Sequence, residues 1–218
     1  MVDRQEGYDG KLVQILQSAC GIFAEKGYHH ASVRVVAAAT GVSPAGLYYY
    51  FRSKEELLFL IVDHCLGSLL RQVKDAAEGM EDPEIRLKAM IRAHLGYFVE
   101  HRSEMRVLVR EWEALTGEFR QEILGRQREY AATVIRTLKE LRPGTSRRKL
   151  RASAMALFGM LTWTDQWYEP QRDLSIGELA NHFAKMFLKG FLPRAEGAGV
   201  GKATVAKRVS PRRQLDPL

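Results

Sequence analysis

The 218-residue sequence has little of what marks a secreted, fibrous or membrane-spanning protein. Its two cysteines, Cys20 and Cys65, lie far apart with no C-x-x-C spacing, which rules out a disulfide framework and offers no zinc motif; both are expected to be reduced and packed. No apolar run approaches the roughly 18–20 residues that a membrane-spanning helix needs. The polar start, Met1 to Gly7, lacks the apolar stretch of a secretory leader, so a cytoplasmic protein without membrane contact is expected. Strand-like alternation of useful length does not occur. Gly-x-Ser-x-Gly, His-Glu-x-x-His and phosphate-loop patterns are missing as well. The pair His29-His30 has no further ligands near it in sequence, so no metal, cofactor or catalytic residue is expected and the chain does not read as an enzyme. What remains, 46% hydrophobic and 27% charged, is the composition of a globular domain.

The net charge of +7 invites a nucleic-acid reading, but its distribution weakens that argument. Residues 1–56 carry six basic and six acidic side chains, and residues 194–218 carry six and two. Much of the excess therefore sits in a tail with a Gly-rich start and no apolar periodicity, which reads as a disordered basic segment. Its deletion is expected to lower non-specific DNA binding and leave any dimer intact.

Local order says more than charge. Leu12, Ile15, Leu16, Ala19, Ile22 and Phe23 recur on one helical face, and Gly27 follows as a stop. Ser32 is placed to cap a short helix running to about Thr40, with Val33, Val36 and Ala37 inward and Gly41 ending it. Val42-Ser43-Pro44 then supplies a packing residue, a cap and a proline at the first helical position, predicting a second short helix from Pro44 to Phe51. Two short helices joined by a glycine-containing turn form a helix-turn-helix. Small residues open the second helix and hydroxyl-bearing aromatics follow, suited to base edges and phosphates respectively. Tyr48, Tyr49 and Tyr50 could all be core aromatics, except that three consecutive helical residues cannot face one core. Ser53 with Glu56 has the form of a capping box opening a long helix, and Lys54 beside it is a cation placed for backbone phosphates.

The run from Ile15 through Phe23-Ala24-Glu25-Lys26-Gly27-Tyr28, Ser32-Val33-Arg34-Val35-Val36-Ala37, Ala39 to Phe51 and Ser53 to Leu57 resembles the N-terminal domain of the TetR family of bacterial transcriptional regulators. The resemblance implies an all-α fold: an N-terminal three-helix DNA-binding domain (1–53) followed by a larger helical ligand-binding and dimerisation domain (54–193). It implies a homodimer on double-stranded operator DNA, with Pro44 to Tyr50 in the major groove and Tyr48 and Lys54 on phosphates. Ser32, Arg34, Ser43, Pro44, Ala45, Gly46 and Tyr49 complete the expected DNA-binding set. Tyr50 and Ser32 stand where many members carry histidine and threonine, which bears on operator choice.

The rest reads as successive helices broken near Gly79 to Pro83, His101 to Ser103, Thr116-Gly117, Pro143 to Ser146 and Pro170 to Leu174. Arg151 to Tyr168 reads as one helix with two apolar stripes, one of them Ala152, Ala156, Gly159, Trp163 and Trp167. The Ser175 to Leu192 segment is similarly two-sided, with Ala180, Phe183, Ala184 and Phe187 among its apolar positions. A helix apolar on two sides needs two partners, so these residues are the expected dimer interface, with two internal core stripes as the alternative. The middle helices are expected to enclose a cavity for a small-molecule inducer, with Met90, His94, Tyr97, Trp112 and Tyr130 as candidate lining, though His94 alone could equally be a satisfied core histidine. Arg102, Arg106 and Arg110 recur every fourth residue, either as a salt-bridged face or as an anion-binding rim. Phe158 to Tyr168, including Phe158 and Trp163, is similar to a segment of family members that respond to acyl-CoA thioesters. That likeness implies an acyl-CoA inducer, ahead of another hydrophobic ligand such as a drug controlling efflux. A dimeric ligand-binding module without DNA binding remains the other alternative.

Overall fold

The computed structural model describes residues 10–192; the readings made above for the first nine residues and for the basic tail lie outside them. Among the described residues every regular element is helical. Helix α1 (Gly10–Lys26) buries Ile15, Leu16, Ala19, Cys20 and Phe23 and stops at Gly27, whose φ of 78° suits glycine. Helix α2 (Val33–Thr40) is capped by Ser32, whose Oγ accepts from the Val35 N–H at 3.3 Å, and ends at left-handed Gly41.

Helix α3 is shorter than the sequence predicts, spanning Pro44–Leu47 instead of reaching Phe51. Past Leu47 the bonds tighten: the Tyr49 N–H donates to Gly46 O and the Tyr50 N–H to Leu47 O, both three residues back. The tighter turn carries Phe51 into the core at 2% exposure alongside fully buried Leu47. Gly46 sits at a close approach, where a Cβ would lie 3.0 Å from Val42 Cγ1 and the valine would have to give way.

Helix α4 (Lys54–Ala77) begins at Ser53, whose Oγ accepts from the Glu56 N–H at 3.0 Å. The expected capping box is half formed, because Glu56 Oε2 accepts from the Arg52 N–H and not from Ser53. Next come α5 (Pro83–Glu100), α6 (Arg102–Arg110), a 3-10 turn (Trp112–Ala114) and α7 (Gly117–Leu141). Helices α8 (Arg147–Thr162), α9 (Thr164–Trp167) and α10 (Ile176–Phe191) complete the chain, and Ser175 and Glu178 form a full capping box at α10. The predicted breaks fall between these elements. The helix expected to continue to Tyr168 is interrupted at Trp163: the Gln166 N–H donates three residues back to Trp163 O, and Thr164 Oγ1 donates to Leu161 O at 2.6 Å.

Long α4 is the centre of the molecule, packed against α1, α5, α6 and α7, while α10 lies along α5 and α8 along α7. One apolar core runs without interruption from Ile15 to Phe191. No helix among the described residues is long and apolar enough to cross a membrane.

Candidate nucleic-acid interface and ligand cavity

Three serine-capped helix starts, at Ser32, Ser43 and Ser53, follow one another within the first 53 residues. Ser32, Arg34, Ser43, Pro44 and Ala45 are exposed there and Gly46 is partly so. Tyr48 and Tyr49 project outward at 53% and 86% exposure, whereas Tyr50 is half-buried with its ring edge-on to Tyr49. The three tyrosines therefore do divide between solvent and core. Small side chains with two protruding phenols leave a surface that a groove floor can approach and whose edges can reach phosphates. Lys54, the cation expected on a backbone phosphate, is half-buried beside the loop before α2. Its Nζ sits 4.2 Å from the centre of the Tyr28 ring and donates to His29 O at 3.4 Å, clasping the loop between α1 and α2. Partial burial lowers its pKa, with the Glu111 carboxylate opposing.

A cavity of about 270 Å³ lies between α4, α5, α6, α7 and α8. Leu66, Leu69, Met105, Leu108 and Val109 give its apolar wall, and Gln127, Ala131, Met155 and Thr162 its remaining sides. Of the candidates read from sequence, His94, Trp112, Tyr130 and Phe158 line it. The other four do not. Met90 sits one turn away, where its sulfur receives the Thr137 hydroxyl at 3.8 Å. Tyr97 is stacked on His101 and donates to Glu104 Oε2 at 3.1 Å. Trp163 is on the surface at 66% exposure. Arg106 pairs with Asp165 at 3.5 Å, and Arg110 binds the same carboxylate at 2.6 Å. Arg106 and Arg110 are thus salt-bridged, to a buried acid that the sequence reading did not single out, while Arg102 donates to Tyr168 O at 3.1 Å. A lone aspartate inside the apolar Phe158 to Tyr168 segment, facing a basic row elsewhere, was the available signal.

Helix α6 joins the two sites. Met105, Leu108 and Val109 face the cavity, the helix packs along α1, and just past its end Glu111 Oε2 accepts the Tyr28 N–H at 3.1 Å. A second strap runs from Glu55, at the start of α4, to the N–H and hydroxyl of Thr116 at 2.6 and 2.8 Å. The first holds the α1–α2 loop against the end of α6, and the second ties the start of α4 to the start of α7, both helices that line the cavity.

Burial holds His94 neutral, pushing its pKa down to about 4 from an ordinary 6.5. Between those two values the unfolded chain binds a proton that the folded one refuses, so stability falls as pH falls through that window and this group has no effect above it. At 1.36 kcal/mol per unit, the loss reaches on the order of 3 kcal/mol at the acid end. Thermal melts of the wild type and His94→Phe at neutral pH and near pH 5 check this. The wild type should lose more melting temperature on acidification, and equal losses would place the acid sensitivity elsewhere.

On the expected interface helices the structure separates the two stripes. Ala152, Ala156, Gly159, Trp163 and Trp167 of α8 and α9 are exposed, joined by Met155 and by Met186 of α10, the latter 53% exposed. Phe183 and Phe187 are half-buried at the edge of this face. Ala180 and Ala184 are corrected: at 2% and 0% exposure they pack inward in the single chain, where α10 lies on α5, and no partner can reach them. A groove of about 440 Å³ between α8 and α10, floored by Ala152, Ala156, Met186 and Phe187, completes the surface.

Comparison with known proteins places these sites in context. Residues 15–61 match the family model of bacterial regulatory proteins, tetR family, and residues 80–191 match a tetracyclin repressor-like C-terminal domain. The chain is 32% identical over 108 residues to the HTH-type transcriptional activator FasR of Mycolicibacterium smegmatis, a match covering 50% of this chain and 49% of that protein. It is 26% identical over 113 residues to the fatty acid metabolism regulator protein of Bacillus subtilis, covering 52% and 58%. The chain thus spans about half the length of these curated relatives. Among solved structures, AibR in complex with isovaleryl coenzyme A and operator DNA is similar with a TM-score of 0.74 at 26% identity, over 81% of this chain and 97% of that one.

Proposed function

The chain belongs to the TetR family of bacterial regulatory proteins, which are transcriptional regulators and not enzymes, and on that footing we propose a cytoplasmic homodimeric repressor that a small hydrophobic inducer releases from a palindromic operator. The domain division at about residue 53 belongs to this proposal, as does contact of the Ser32, Arg34 and Ser43 to Tyr49 surface with DNA. One observation carries it: α6 walls an apolar cavity on one side and holds the α1–α2 loop on the other through Glu111 and Tyr28. A ligand that displaces α6, or Leu66 and Leu69 of α4, moves the reading heads. Two heads must sit about 34–36 Å apart to meet successive major grooves, so a small pivot weakens binding. Operator DNA must in turn weaken ligand affinity by the same factor. A fatty acyl-CoA is the preferred inducer: the B. subtilis relative is named for fatty acid metabolism, and the AibR structure holds an acyl-CoA. FasR is named as an activator, so the sign of regulation depends on where the operator lies relative to its promoter.

The test is selection of bound sequences from a random duplex library with ligand-free protein at stated salt. Enrichment of a palindrome is expected, with affinity falling as salt rises. If no sequence is enriched after denaturation and refolding to remove bound ligand, the operator reading fails and a dimeric ligand-binding module is left. That alternative draws on the neutral charge balance of residues 1–56.

A further inference from the structure

His94 is 2% exposed, and its Nδ1 lies 2.7 Å from the Tyr130 hydroxyl. Its Nε2 is shielded from water and has no hydrogen-bond partner among the described residues. The tautomer follows from counting groups. Burial raises the pKa of the Tyr130 phenol, which therefore keeps its proton. If that proton is donated to His94 Nδ1, one group is stranded, the Nε2–H. If Nδ1 donates instead, both the phenolic hydrogen and the Nε2 lone pair are stranded. A buried unsatisfied polar group is costly, so the first arrangement is favoured, and the ring, one of the cavity's lining residues, carries an unpaired donor. The same cavity wall holds no charged side chain among the described residues. Of the three cations on α6, Arg106 and Arg110 are committed to Asp165 and Arg102 donates to Tyr168 O.

We propose that the cavity takes the acyl part of an uncharged carbonyl compound, such as a thioester, whose carbonyl oxygen accepts from His94 Nε2, and that it rejects the corresponding free carboxylate. This rests on the ligand-responsive reading above and narrows it. A carboxylate would have to shed its water with no cation to meet it, a cost far larger than that of a neutral carbonyl matched by one donor. The neutral state of the imidazole supports this, since it supplies a hydrogen bond without a countercharge. The volume of about 270 Å³ falls just under the roughly 300–1,000 Å³ of most small-molecule sites, which favours a short or medium acyl chain.

Calorimetric titration of the full-length protein tests this with three probes: octanoyl-CoA, S-octanoyl-N-acetylcysteamine, which is a thioester without phosphates, and octanoate. Both thioesters are expected to bind, and octanoate to bind at least about tenfold more weakly because its charge goes unmatched. Replacing His94→Phe together with Tyr130→Phe removes the donor and the hydroxyl it would otherwise strand. Thioester affinity should fall about five- to tenfold, the weight of one hydrogen bond. Octanoate binding as tightly as the thioesters overturns the proposal, and that comparison needs no variant. So does a double variant that binds thioesters like the wild type. Failure of both thioesters to bind overturns it too, while the operator selection, done without ligand, stands or falls separately.

Discussion

Phe51→Ala is expected to abolish specific operator binding while leaving the protein folded and helical elsewhere. Phe51 and Leu47 pin the short helix α3 to the core, at 2% and 0% exposure. Between them a single bond still reaches four residues back, from the Phe51 N–H to Leu47 O at 3.3 Å, so the segment is held mainly by these anchors and by Gly46 packed against Val42. Truncating a buried phenylalanine costs about 3–5 kcal/mol, through lost transfer energy and the cavity left behind. Four helical residues offer no cooperative reserve to absorb that loss. Fluorescence anisotropy on the selected operator, with circular dichroism and light scattering as controls, reads the outcome. Operator affinity within about threefold of wild type would mean that α3 is held by something other than this anchor pair.

The second large effect concerns the outer face of α8 and α10. Trp163→Glu combined with Met186→Glu should convert the proposed dimer to monomer and remove operator affinity with it. Both residues are well exposed in the single chain, at 66% and 53%, so acidic replacements there cost the protomer little. In a two-fold interface each change appears twice, and every buried carboxylate without a partner costs several kcal/mol. Light scattering gives the mass, and titration with the thioester probes shows whether the cavity survives. A dimer that persists would move the interface to another surface.

How far the sequence spoke depended on whether a feature is local. The helix-turn-helix was legible because its signals lie within a few residues of what they organise: Ser32 and Ser43 cap their own helices, and Gly27 and Gly41 end theirs. The length of α3 was not, because Phe51 turns inward to meet a core built from distant helices. On α5, Met90, His94 and Tyr97 share one face, yet the cavity occupies a single turn of it. Thr137 fills the space beside Met90 and Glu104 engages Tyr97, and neither neighbour is visible from α5 alone. The two-sided helices posed a similar problem. The stripe on α8 was correctly read as outward, whereas α10 turned Ala180 and Ala184 toward α5. Periodicity gives the number of apolar faces but not which of them a neighbour has already covered.

The two native thiols have a practical consequence. Cys20 and Cys65 are free yet buried, and burial pushes the Cys20 thiol up to about 12 and Cys65 higher still. Both being buried with raised pKa, neither is expected to present a thiolate to an alkylating reagent at neutral pH, so the unaltered protein should be silent toward maleimide chemistry. A cysteine introduced at Tyr49, 86% exposed, would then carry a spin or fluorescent label without background. In the proposed dimer the two labels form a ruler across the symmetry axis, reading the separation of the heads in solution with operator, with ligand, or with neither.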